Sequence, residues 1–192
     1  IQDLLGGFDV AKLETMPHAE HAEFLSKAYV HGATTYEQDE SVKSTVEALN
    51  KQVYALHNSD DDQSDFARVY WLCREWSYAY FKEFYELVEV NQFDRYYPES
   101  ETTPVGLALV RNSNGIFEVS DGAVIFKGES VGLHTRVFIT REDLPTYETK
   151  DIGVIWLEKE DYHFDSRYIL TGNDQTEYMR VVFAAAEAFR PE

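Results

Sequence analysis

Tyr147 and Asp151 stand four residues apart, after an apolar run at Arg136–Thr140 and a turn at Pro145. A helix beginning there carries the ring and the carboxylate on one face, at the edge of a sheet. Glu99-Ser100, which follows Phe93-Asp94, and Gly172-Asn-Asp-Gln175, which follows the Tyr168–Thr171 run, are placed to converge on the same crevice. Two carboxylates, an aromatic face and an amide suit a planar cation. A guanidinium donates to carboxylates in paired, charge-assisted bonds and stacks on tyrosine.

Other chemistry-bearing residues have simpler accounts. His18 and His21 are three apart with carboxylates between them, a spacing open to metal ligation, but no further ligand is placed by the sequence and a solvated acidic first turn explains them. Cys73 lies mid-helix among aromatics, as a buried inert thiol does. The aromatics of Tyr70–Tyr85, which could stack on bases, sit at spacings of three and four on an acidic chain and are expected to be core. There is no Gly-rich phosphate loop, no G-x-S-x-G elbow and no H-E-x-x-H.

The elements that must position the crevice follow from pattern. From Met16-Pro17 to about Val30 the apolar residues recur at helical spacing and stop at His31-Gly32. Val42, Val46, Leu49, Val53 and Leu56 form one stripe of a second helix. The polar Asn58–Ser64 break supplies Asp62 or Ser64 as cap for a third helix, Phe66–Val88. After Tyr97-Pro98 the runs Val105–Val110, Ile116–Ser120 and Ala123–Lys127 read as short strands around Asn112-Ser-Asn-Gly115 and Asp121-Gly122 turns. Then come a strand at Arg136–Thr140, a helix at Tyr147–Asp161, a strand at Tyr168–Thr171 and a closing helix at Thr176–Phe189. Strand-helix-strand-helix predicts a parallel α/β layer in which Tyr168–Thr171 pairs beside Arg136–Thr140. The expected organisation is a single-domain segment: about 1–98 mainly helical, 99–135 a β-hairpin insertion, 136–192 the α/β part.

Composition bounds what such a chain does. With 192 residues, 44% hydrophobic and 27% charged, it suits one globular domain and excludes disordered and collagenous classes. Its 17 basic and 35 acidic residues leave a formal charge of −18, so this chain alone is not expected to bind nucleic acid. A lone cysteine excludes an internal disulfide and points to a reducing, cytoplasmic setting; no run is apolar enough to suggest a membrane anchor. The start at Ile1-Gln-Asp-Leu-Leu-Gly-Gly, without initiator methionine or signal-peptide features, suggests an internal piece of a longer protein.

The blocks Gly132-Leu-His-Thr-Arg-Val-Phe-Ile and Leu144-Pro-Thr-Tyr-Glu-Thr-Lys-Asp-Ile-Gly153, with Phe93-Asp94 through Glu99-Ser100, the Gly122-Ala123 turn and Gly172-Asn-Asp-Gln175, resemble the arginyl-tRNA synthetases in order and spacing over roughly residues 60–190. The resemblance implies a partial Rossmann-like α/β catalytic domain of class I type with a helical and hairpin insertion. It implies that Glu99 and Asp151 hold the guanidinium of arginine, that Tyr147 packs on or bonds to the arginine, that Gln175 fixes its α-amino or carboxylate end, and that Gly172 lets a nucleotide approach. Arginine, ATP with Mg, and arginine tRNA are then partners of the intact ligase. The family's His-x-Gly-His and Lys-Met-Ser-Lys-Ser-like signatures are absent. The segment is therefore expected to supply arginine recognition, with no catalytic residue of its own and no ATP or Mg bound in isolation. The alternative is a non-catalytic arginine-binding or protein-interaction α/β module.

Overall fold

Capping chemistry sets several helix boundaries in the structure, a computed structural model that describes residues 1–7, 9–91 and 93–189. The chain divides into two compact units, Ile1–Asp94 and Arg95–Glu192. Unit 1 is helical: α1 (Gln2–Leu5), α2 (Val10–Glu14), α3 (His18–Gln38), α4 (Glu40–Leu56) and α5 (Asp65–Leu87). Asp39 separates α3 from α4 and caps the latter, its carboxylate accepting from the backbone N–H of Ser41 and Val42. Ser64 caps α5 by accepting from Ala67 N–H at 3.2 Å. Helix α3 runs past His31-Gly32, where periodicity predicts its end. One glycine costs a helix only about 1 kcal/mol, and Asp39 supplies the stop seven residues later.

The core of unit 1 gathers Val10, Leu13, Val69, Cys73 and Trp76, with Phe24 and Leu25 of α3 packed on it. His21 belongs to this core: its ring stacks on Trp76 at 3.7 Å between centroids, and its Nε2–H donates to the Met16 carbonyl at 3.0 Å. His18 turns instead to Glu83, 3.3 Å away. Cys73 is buried, and burial pushes its thiol up to about 11, which leaves it inert at neutral pH. The aromatic stretch of α5 is not wholly core, contrary to expectation. Trp76 is buried, but Tyr78, Tyr80, Phe81 and Phe84 lie exposed.

Unit 2 opens with α6 (Glu99–Arg111), where the β-branched, apolar run suggests a strand at Val105–Val110. Helix wins there because Thr102, Thr103, Gly106 and Val110 fall on one helical face and are buried, a tertiary contact that overrides strand propensity. Then follow β1 (Glu118–Ser120), β2 (Ala123–Phe126) and β3 (Arg136–Ile139), an antiparallel sheet in that order. Asp121 and Gly122 both take positive φ, 49° and 82°, as the two-residue β1–β2 turn requires. The remaining helices are α7 (Tyr147–Tyr162) and α8 (Thr176–Phe189).

Tyr168–Thr171 is not a strand, and the parallel pairing expected with Arg136–Thr140 is not formed. A strand needs a ladder to satisfy its backbone groups, and among the described residues β3 pairs with β2 and, through Ile139, with Pro145. Tyr168 and Leu170 are 86% and 96% exposed, so burial does not hold an extended conformation there either. The core of unit 2 collects Phe126, Phe138 and Ile139 from the sheet, Val110 from α6, Ile152 from α7, and Val181, Val182 and Ala185 from α8. Among the described residues no helix is long and apolar enough to cross a membrane.

Candidate functional site

Strand β3 fixes where α7 begins. The Thr146 hydroxyl donates to the carbonyls of Val137 and Phe138 at 2.8 and 3.0 Å, and the fully buried Thr149 hydroxyl donates to the Phe138 carbonyl at 2.5 Å. Helix α6 then packs against α7 at backbone distance. A Cβ built on Gly106 falls 2.0 Å from the Thr149 carbonyl oxygen, and one built on Gly153 falls 2.1 Å from that of Thr102. Neither position admits a side chain without moving a helix. These two contacts bring Glu99, the first residue of α6, beside the first two turns of α7.

The result is a cluster of charged groups around α7. Lys150 Nζ lies 2.6 Å from Glu99 Oε2 and 4.9 Å from the centre of the Tyr147 ring. Tyr147 is 69% exposed. Asp151, half-buried, accepts a hydrogen bond from the hydroxyl of Tyr178 on α8. Glu148, buried beneath them, pairs with Arg136 at 3.2 Å, and the Arg136 guanidinium stands 5.6 Å from the Tyr178 ring. Arg167 pairs with Glu158.

Desolvation pushes the Asp151 carboxyl above the ordinary aspartate range, the Tyr178 hydrogen bond and Arg167 oppose it, and the charges of Glu148 and Glu99 add to it. Burial first, and then the same carboxylate, pushes the Tyr178 hydroxyl upward. A carboxyl raised on folding makes the folded state bind more protons than the unfolded state between its two pKa values, so its contribution to stability falls as pH rises through that window. The ionised form is a cost above the raised value and absent below the ordinary one. Replacing Asp151 by asparagine, which keeps an acceptor for Tyr178, is therefore expected to be neutral near pH 3 and to gain on the wild type as pH rises towards 7. Urea unfolding at several pH values checks this; a variant that loses stability relative to wild type with rising pH contradicts it.

Of the residues singled out by the sequence, Glu99, Tyr147 and Asp151 lie together around the start of α7. Gln175 sits in the short 3-10 turn before α8, exposed, its amide donating to Asp174 at 3.2 Å and its backbone N–H to the Gly172 carbonyl at 3.0 Å. It lies three residues before Tyr178, the α8 side chain that reaches Asp151. Gly172 precedes this turn with φ −69° and meets only the far end of the Asp174 side chain, so the backbone there does not itself demand glycine. Lys150, Tyr178, Glu148 and Arg136 complete the cluster; Lys150 and Arg136 lie near the expected pocket in the sequence itself, whereas Tyr178 and Glu148 are not evident as its members from sequence. Tyr178 is separated from Asp151 by 27 positions, and only the packing of α8 on α7 joins them.

Two carboxylates and an exposed tyrosine beside paired charges are groups that can hold a cation with several donors. The comparisons with known proteins bear on which family builds it. The family model described as "tRNA synthetases class I (R), catalytic domain" matches residues 4–192. The arginine–tRNA ligase of Treponema pallidum subsp. pallidum is 30% identical over 112 residues, which cover 57% of this chain and 19% of that protein. The chain thus spans about a fifth of the length of the curated relative that it matches. Its helix-rich architecture with a small antiparallel sheet is consistent with a partial α/β class I synthetase catalytic domain. On the match across nearly its whole length, this chain belongs to the class I (R) tRNA synthetase catalytic-domain family.

Proposed function

We propose that this chain supplies arginine recognition to an arginine–tRNA ligase, the parent protein activating L-arginine with ATP and transferring it to arginine tRNA. The observation that carries this reading is the convergence of Glu99 with Tyr147 and Asp151 at the start of α7, where a cation already lies against the first two. In the proposal the two carboxylates take the guanidinium, Tyr147 covers it, and Gln175 receives the amino-acid end. Gly172 keeps the nucleotide-approach role given by the family resemblance, without the strand end expected there.

The described residues offer no cradle for the triphosphate and Mg of ATP. The cations of the cluster, Lys150, Arg136 and Arg167, each pair with a carboxylate, Glu99, Glu148 and Glu158, and so do not form a triphosphate cradle. No step through the nucleotide is assigned to this chain. Its own residues select the amino acid by charge and shape before chemistry.

Calorimetric titration of the 192-residue chain tests the reading. L-Arginine is expected to bind, and L-citrulline, in which a neutral ureido group replaces the guanidinium, is not. Asp151→Asn exchanges a charge-assisted partner for a neutral one, a loss on the order of 1.5 kcal/mol or more, seen as a tenfold or greater rise in Kd. Equal binding of citrulline, or an arginine Kd unchanged in Asp151→Asn, overturns it.

A further inference from the structure

Lys150 occupies the place that the proposed ligand needs. Its ammonium lies 2.6 Å from Glu99 and 4.9 Å from the Tyr147 ring centre, the two groups expected to receive the guanidinium. Its side chain is 11% exposed, whereas that of Glu99 is 61% exposed and Tyr147 as a residue is 69% exposed. The partners face solvent, whereas the lysine side chain as a whole is sheltered and its head lies within reach of both. Positions 147, 150 and 151 fall on neighbouring turns of α7 within reach of one another, so the lysine is at helical contact distance from the tyrosine whose ring it meets.

We infer that Lys150 is an internal occupant of the cation site, a stand-in for the guanidinium that arginine must displace from Glu99 and Tyr147. The inference rests on the arginine-recognition reading above. The exchange is chemically asymmetric. Ammonium is a compact point charge, which here meets Glu99 through a single carboxylate oxygen, whereas guanidinium is planar and can donate two parallel bonds to a carboxylate while stacking on a ring. The four-carbon stem of Lys150 lets its head swing to solvent, where it regains hydration. In the free chain the lysine balances the charge of Glu99 and keeps the site from standing open to other cations. The apparent arginine affinity is lowered by the fraction of molecules in which Lys150 holds the site.

Proton–carbon NMR of the chain with lysine 13C-labelled at the ε carbon reads the displacement directly, Lys150→Arg assigning the signal. Beside the Tyr147 ring the Lys150 ε-methylene is expected upfield of the other lysines, and L-arginine is expected to return it to their position; L-citrulline is not. In calorimetry, Lys150→Met is expected to tighten arginine binding about fivefold, the worth of one partly exposed ion pair. Lys159→Met, the same charge change on α7 away from the cluster, is expected to alter it less than about twofold. If arginine binds while the Lys150 signal stays in place, or if Lys150→Met binds arginine more weakly with its fold intact, Lys150 is a support for Glu99 and the inference falls while the recognition reading stands. If neither wild type nor Lys150→Met binds arginine, both fall.

Discussion

Gly153→Ala is expected to cost unit 2 about 3 kcal/mol, although alanine is the better helix former by about 1 kcal/mol. The added methyl would stand 2.1 Å from the Thr102 carbonyl oxygen and 2.9 Å from its carbon. Both are backbone atoms of a packed helix, so no rotamer change relieves the clash and α6 must move away from α7. Gly32 provides the contrast. It also lies within a helix, but a Cβ there meets nothing within 4 Å, so Gly32→Ala is expected to stabilise unit 1 by about 0.5–1 kcal/mol. Urea unfolding followed by NMR signals assigned to each unit measures both. Because α6 carries Glu99 and α7 carries Asp151, Gly153→Ala is also expected to weaken arginine binding, with no ligand contact removed. A Gly153→Ala chain as stable as wild type would mean that the two helices separate at little cost.

Phe138→Ala is expected to be still more damaging, about 3–5 kcal/mol, as for other large-to-small changes at buried aromatics. The side chain is wholly buried, 4.7 Å from the ring of Phe117 and 6.2 Å from that of Phe126 between centroids. It sits in the core to which sheet, α6, α7 and α8 all contribute. Its carbonyl is the acceptor for Thr146 and Thr149, so collapse around the lost ring also disturbs the start of α7. Thermal unfolding of unit 2 with a loss under about 1 kcal/mol would show that Phe117 and Phe126 refill the space.

What the sequence makes legible here is local. The Asp121-Gly122 hairpin, the Ser64 cap and the helices beginning at Tyr147 and Thr176 depend on a few adjacent residues, and each forms as read. Val105–Val110 misleads because its terminal valines and apolar run suit a strand, while the deciding fact is a face of threonine and glycine pressed on another helix much later in the chain. Tyr168–Thr171 misleads in the opposite way: its pattern suits a strand, but a strand exists only with a neighbour. For the site, the four-residue step from Tyr147 to Asp151 places two groups on one face of α7 without further knowledge. Glu99 comes to them through the α6–α7 contact. Lys150 is legible as a cation near the pocket, but its pairing with Glu99, 51 positions away, is not, and Tyr178 stays hidden because its partner is 27 positions away.

The approach of α6 to α7 through Gly106 and Gly153 also bears on how such a site can evolve. The spacing between its two carboxylate-bearing helices is set by main chain against main chain, which no conservative substitution can fine-tune. Every side chain added at either glycine pushes the helices apart, so those positions form a ratchet that resists gradual drift. Changes of ligand preference must therefore begin among the groups that line the crevice, Tyr147 and Lys150 foremost, since these can be exchanged one at a time while the frame beneath them keeps its dimensions.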